Sequence, residues 1–235
     1  MIIIVVVIIF SIVQSIFGVG LLLFGTPTLL LLGQTFDQAL WTLLPSSIFI
    51  SIYKIIGNYS LINSKKEIYL FSLPSIAIGL IAVINNSDLI DLKKIVGLFL
   101  LIVAGIRISK RMQELLKKII IKNINIYCIS MGLAHGISNM GGGALTVLMS
   151  SIYEKKEIIR VNIAFVYLLF AGIQLIVLCF ISSHIFSFQD LYLIIASGTT
   201  YFLVNRYLLH LINDMKFQVF ITYLIFIYGV LAISS

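Results

Sequence analysis

Charge is what this chain has least of. Only 11% of its 235 residues are Asp, Glu, Lys or Arg, and 60% are hydrophobic, whereas a soluble domain carries roughly a quarter charged residues. No polar stretch is long enough for a soluble domain, and the longest, residues 107–123, is short and basic. Cysteine is nearly absent. Cys128 and Cys179 sit in apolar runs with neither metal-ligand spacing nor a CxxC pair, so no metal, redox pair or cofactor is expected. No basic residue precedes the first apolar run, Met1-Ile2-Ile3-Ile4-Val5, which argues against a cleaved leader and for a retained first segment. A G-x-x-x-x-G-K-[ST] motif is also missing, so direct ATP coupling would need another subunit.

What the chain does have is hydrocarbon. Mean hydropathy is +1.14, and apolar runs of about 17–24 residues recur along it, long enough to cross a ~30 Å core. This predicts an all-α polytopic membrane protein with a single membrane domain over residues 1–235 and the lipid bilayer as its first partner. The net charge of +7 lies in the connections between spans. Positive cytoplasmic loops account for it, and no nucleic-acid partner is expected.

One stretch contradicts its surroundings. Residues 133–145, Leu-Ala-His-Gly-Ile-Ser-Asn-Met-Gly-Gly-Gly-Ala-Leu, place three consecutive glycines, an Asn and a His in an apolar region. Three glycines suit a helix interior poorly, at ~1 kcal/mol each relative to Ala. Broken backbone at membrane depth survives only where protein or a wet cavity covers it. The stretch reads as the tip of a broken helical hairpin; close packing of two unbroken helices on small residues is the alternative. An earlier break, Phe17-Gly18-Val19-Gly20 followed by Gly25-Thr26-Pro27, has the same character. Half-helices are expected at about 2–17 and 21–32, then spans at 38–57, 68–84 and 92–108. After the basic loop come half-helices at 124–138 and 143–153, then spans at 158–181, 188–204 and 217–234.

The order in the half 1–110 therefore recurs in the half 122–235. An offset of 121 residues lays Gly20 on Gly141, Gln14 on His135 and Trp41 on Asn162. Charge supports the hairpins. If each break were a single crossing, Lys and Arg would divide nine against seven between the two faces. If each hairpin enters and leaves by one side, all 16 basic residues except Lys93 and Lys94 share one face. Basic loops stay cytoplasmic, so both termini are expected outside and the loop 107–123 inside. With three transmembrane helices after each hairpin, the halves are oppositely oriented: an inverted-topology repeat, as in many secondary transporters.

The second half-helix of each hairpin begins with amides that have no intrahelical acceptor and with the positive end of the helix dipole. Two such ends approaching from opposite faces would bind an anion without a buried cation. The expected substrate-binding residues are Gln14, Gly18, Gly20, Thr26, His135, Ser138, Asn139, Gly141, Gly142, Gly143 and Asn162. A Ser or Thr among them equally well bonds its own helix, and a buried His can simply bond a neighbouring helix. His135 is the one that titrates near neutral pH, which suggests a coupling proton. His184 and His210 fall in or beside loops and carry no such weight.

At these residues the chain resembles the TauE/SafE family of membrane transporters. Phe17-Gly18-Val19-Gly20-Leu21-Leu22-Leu23-Phe24-Gly25-Thr26-Pro27 is similar to the glycine-rich, proline-ended opening of that family, and Asn139-Met140-Gly141-Gly142-Gly143-Ala144-Leu145 to its second copy. Leu21 and Leu22 depart from it, standing where the family often has glycines. The resemblance implies a permease for small sulfur-containing anions such as sulfite, thiosulfate or sulfonates. An anion channel is the alternative. An intramembrane enzyme is disfavoured, because no buried carboxylate orients His135 and nothing resembles a nucleophile motif. Oligomeric state, a homo-oligomer included, stays open.

Overall fold

The computed structural model describes residues 1–87, 90–182, 187–207 and 214–234, and among them there is no strand. His184 and His210 lie outside the described residues. The helices are α1 Ile2–Phe17, α2 Leu21–Leu31, α3 Phe36–Ile55, α4 Leu73–Asn85, α5 Leu92–Ile108, α6 Lys110–Lys122, α7 Ile124–Ser138, α8 Gly142–Ile152, α9 Lys156–Ile181, α10 Phe188–Tyr207 and α11 Asp214–Ser234.

Local chemistry sets several boundaries. The Thr35 amide donates to Gln38 Oε1 at 3.1 Å, closing a capping box that starts α3. Asp91 accepts from the Lys94 amide at the start of α5. A π-helical turn, Ile68–Ser72, runs into α4. Pro74 there has no N–H for an i−4 bond and its ring crowds the carbonyl one turn back, which favours a widened turn just before it. With that turn, α4 spans 18 residues at mean hydropathy 2.0, and α9 spans 26 at 2.6; both are long and apolar enough to cross a membrane.

The surface is inverted relative to a water-soluble protein. Phe180 is 86% and Ile78 62% exposed, while Gln14, His135, Asn162 and Gln174 are buried. Lipid accepts the outward apolar side chains, and the polar ones turn inward to reach partners.

The helices pair in a pattern that survives exchange of the two halves. α3 packs on α9 and α5 on α11, while α4 packs on α7 as α1 packs on α10. Trp41 Nε1 donates to Ser182 Oγ at 3.1 Å, and the Asn63 amide, beyond the other end of α3, donates to Asn162 Oδ1 at 2.8 Å. α3 and α9 therefore run antiparallel. So do α5 and α11: Gly97 meets Gly229 and Ile233, and Arg107 Nε donates to Thr222 Oγ1 at 3.0 Å. α4 and α7 run parallel, with Ser72 Oγ donating to the Cys128 carbonyl at 2.9 Å and Gly79 lying against Leu133 and Ile137. Lys54 lies near Arg160, and Arg107, Lys117, Lys156 and Arg160 border one cavity. These five cations gather at one end of the bundle, whereas Lys93 and Lys94 begin α5 at the other.

The expected loop at 107–123 is a correction. Residues 110–122 form α6, capped where the Met112 amide donates to Ser109 Oγ at 3.3 Å. Met112, Leu115, Leu116, Ile119 and Ile120 recur at helical spacing, an amphipathic stripe that its high charge content obscures.

Close backbone approach holds α4 on α7. A Cβ at Gly136 would lie 2.3 Å from the Ile76 carbonyl oxygen, where no flexible side chain can yield. Gly136→Ala should destabilise the folded protein by about 1–3 kcal/mol. Gly172→Ala, which meets nothing within 4 Å, should stay within ~1 kcal/mol of the parent. Melting of both variants in detergent checks this.

Candidate functional site

The two breaks share one construction. Gly18 ends α1 in the left-handed region at φ 78°, and its amide donates to the Gln14 carbonyl at 2.8 Å. Asn139 ends α7 in the same region at φ 61°, its amide donating to the His135 carbonyl at 2.7 Å. Gly and Asn are the residues that enter this region most easily. The 121-residue offset relates each of these pairs, and carries the start of α2 at Leu21 onto the start of α8 at Gly142. Gly142 and Gly143 thus open a helix, in the turn whose N–H groups need no intrahelical partner.

Beyond that construction the hairpins differ. Gln14 turns its side chain back so that Oε1 accepts from the Leu21 amide at 3.1 Å, capping α2. Gly20 permits the close return, since a Cβ there would lie 2.6 Å from the Gln14 amide nitrogen. In the second hairpin the His135 ring makes no such return to the next helix, and its polar neighbour is Gln174 on α9. The ring packs instead against Phe170 at 4.9 Å and Tyr167 at 5.9 Å between centroids, and α8 has no side-chain cap.

The two tips meet through side chains. Asn139 Nδ2 donates to Thr26 Oγ1 at 2.8 Å, and Thr26 stands five residues into α2, about 8 Å from its start at 1.5 Å per residue. Gly18 meanwhile lies against Ile163 and the Arg160 carbonyl, in the second turn of α9. α1 has 16 residues and α7 has 15, and either spans about 23 Å, more than half of a ~30 Å core. Val19, Leu23 and Phe24 at the start of α2 and Gly143 at the start of α8 border one cavity.

Two expected residues serve the fold locally. Ser138 Oγ donates to the Ala134 carbonyl at 2.6 Å and accepts from the Met140 amide at 3.3 Å, which ties the turn. Asn162 is a brace: its Nδ2 donates to the carbonyls of Leu61 and Ile158 at 2.9 and 2.8 Å, and its Oδ1 accepts from Asn63. These bonds run to the loop after α3 and to its own helix.

A half-open cavity of about 780 Å³ enters from the basic end. Arg107, Lys117, Lys156 and Arg160 line it, and no carboxylate occurs among its described lining residues. One face of α8, Gly143, Thr146, Val147 and Ser150, forms a wall that ends in the first turn of that helix, and Val19 of the first tip borders it too. The sequence reading counted these cations only for orientation. Lys156 and Arg160, one turn apart on one helix face, were the available signal that they also share a surface.

Together these features define a class: a polytopic helical membrane protein in which two broken hairpins interleave and a basic cavity runs to them. The family model described as Sulfite exporter TauE/SafE matches residues 2–232, and the chain belongs to that family of membrane transporters. No curated protein and no solved structure gives a significant match.

Asn162→Leu should cost about 2 kcal/mol of stability, because it leaves the Asn63 amide and the Leu61 carbonyl without a partner. Transport per folded molecule should persist. Melting temperature and uptake, measured on the same preparation, check the pair of expectations.

Proposed function

We propose that the protein is a secondary permease for a small, sulfur-containing anion, working by alternating access, with the basic end cytoplasmic and both termini outside. The observation that carries this reading is the cavity lined by Arg107, Lys117, Lys156 and Arg160 that ends at the first turn of α8. A cluster of cations at a low-dielectric mouth attracts anions and raises their local concentration. The uncapped N-terminus beyond it offers amides and a positive dipole. Antiparallel pairing of α3 with α9 and of α5 with α11 is what two oppositely oriented halves would produce. Gly142, next to cavity-lining Gly143, lies under Tyr167, which favours a carrier closed on one side over an open channel. His135 remains the group proposed to link substrate to a proton, since a neighbouring bound anion favours the imidazolium.

The test is transport into proteoliposomes of a panel of radiolabelled anions: sulfite, thiosulfate, a sulfonate, sulfate and phosphate. Saturable uptake and counterflow of a sulfur anion are expected; leakage without counterflow would make the protein a channel. Replacing Lys156 and Arg160 together by Gln should lower uptake about tenfold at low ionic strength and weaken its salt dependence. Unchanged uptake would remove the cavity from the pathway.

Orientation has its own check. A fluorescent protein that matures only in the cytoplasm should stay dark when fused after Ser235 and glow when inserted at 112–118. A bright, intact C-terminal fusion would overturn the proposed topology.

A further inference from the structure

Among the described residues, buried polar side chains without partners include Ser46, Ser47 and Ser51 on α3 and a second group around His135 and the N-terminus of α8. The Tyr167 hydroxyl and Oδ1 of Asn139 have no hydrogen-bond partner, and the ring nitrogens of His135 and the amide of Gln174, which lie against each other, find none beyond that contact. All four residues are fully buried. Isolated orphans are rare in folded proteins, and a buried polar atom without a partner costs stability that an apolar residue of similar shape would recover. Four polar residues around one helix end need a reason beyond packing.

Their placement supplies one. Tyr167 and Gln174 lie two turns apart on one face of α9, with Gln174 beside the His135 ring. The Tyr167 hydroxyl is so near Gly142 that a Cβ there would sit 1.7 Å from it, and a Cβ at Gly141 would sit 3.0 Å from His135 Nδ1. The absent side chains at Gly141 and Gly142 leave room for these polar atoms at the helix end. None of the four side chains carries a carboxylate. The Tyr hydroxyl, the Gln amide and one imidazole N–H donate, and the α8 amides add to them. Such a set suits an anion. Asn139 Oδ1 and Gln174 Oε1 accept, which suits a ligand that also carries an O–H.

We propose that Tyr167, Gln174, His135 and Asn139, with the first amides of α8, form the specificity pocket for a small oxyanion in its monoprotonated form. The pocket rests on the permease reading and assigns residues that read as ordinary core in the sequence. Its donors hold the charged oxygens, and its acceptors take the ligand's proton. Gln14 has already closed the matching position of the first hairpin, so the two hairpins are unequal and one pocket serves the chain.

The purified full-length protein in detergent tests this, with sulfite as the probe, titration calorimetry for affinity and thermal melting for stability. Tyr167→Phe removes an orphaned hydroxyl, so melting temperature should hold or rise while sulfite affinity falls about tenfold or more; Gln174→Leu, which takes away the neighbour of His135, should stay folded and lose affinity to a similar extent. If both variants keep the parent's stability and its affinity, the cluster is only core and the pocket is overturned. Should Tyr167→Phe fail to fold, Gln174→Leu decides alone on the same two readings. Methanesulfonate, an anion without an O–H, should bind about tenfold more weakly than sulfite; equal affinity overturns the assignment of a protonated ligand. A parent protein that binds no anion of the transport panel would overturn the permease reading and this pocket with it. Parent-like affinity in both variants overturns the pocket alone.

Discussion

Hydrocarbon offers no partner to an exposed amide or carbonyl, and the arrangement of this protein follows from that constraint. A chain that interrupts two helices inside the bilayer must bury both interruptions in protein. The helices that leave the breaks are accordingly enclosed. Nine of the eleven residues of α2 are buried, and α8 is held against α9 and α6 with one face turned to the cavity. The outer helices carry the lipid contact, and the breaks sit where other helices can cover them.

The same constraint explains how each turn is built. A left-handed residue, Gly18 or Asn139, lets the last amide of the incoming helix find a carbonyl four residues back. From there the two hairpins diverge by one substitution. Gln14 is long and flexible enough to return an oxygen to the next helix, while the His135 ring points among aromatic side chains. A capped helix end has spent its donor, and an uncapped one has not. The second hairpin therefore leaves the start of its outgoing helix without a side-chain cap.

Electrostatics divides the molecule along its length. Cations gather at one end, and the deep polar residues are neutral ones: Gln14, Thr26, His135, Asn139 and Gln174. Full charges in a low-dielectric interior cost far more than neutral dipoles. A protein that moves anions benefits from cations at the mouth, where water screens them, and from dipoles in the interior, which hold an anion without trapping it. Arg107 marks the transition, anchored by Thr222 on α11 with its guanidinium on the cavity side.

By itself the sequence determined the helical class, the placement of the breaks to within a few residues, and the grouping of basic connections. Each is a local property: apolar run length, glycine content and loop charge act on the stretch that carries them. Gly18, Gly20, Asn139 and Gly141 were legible as turn residues for that reason. Only the tertiary structure decided what lies beside those turns. Asn139 meets Thr26, five residues into α2, a pairing that the 121-residue offset does not suggest. Asn162 went to a loop that follows α3 and became a brace, although its neighbourhood in sequence gave no sign of that partner. Tyr167 and Gln174 read as ordinary positions on a long apolar helix, because what sets them apart is a glycine about 25 residues earlier, at 142, and a histidine in another helix. Helix period and span length are encoded locally, but a pocket forms from side chains distant in sequence, and which of them meet depends on how the helices pack.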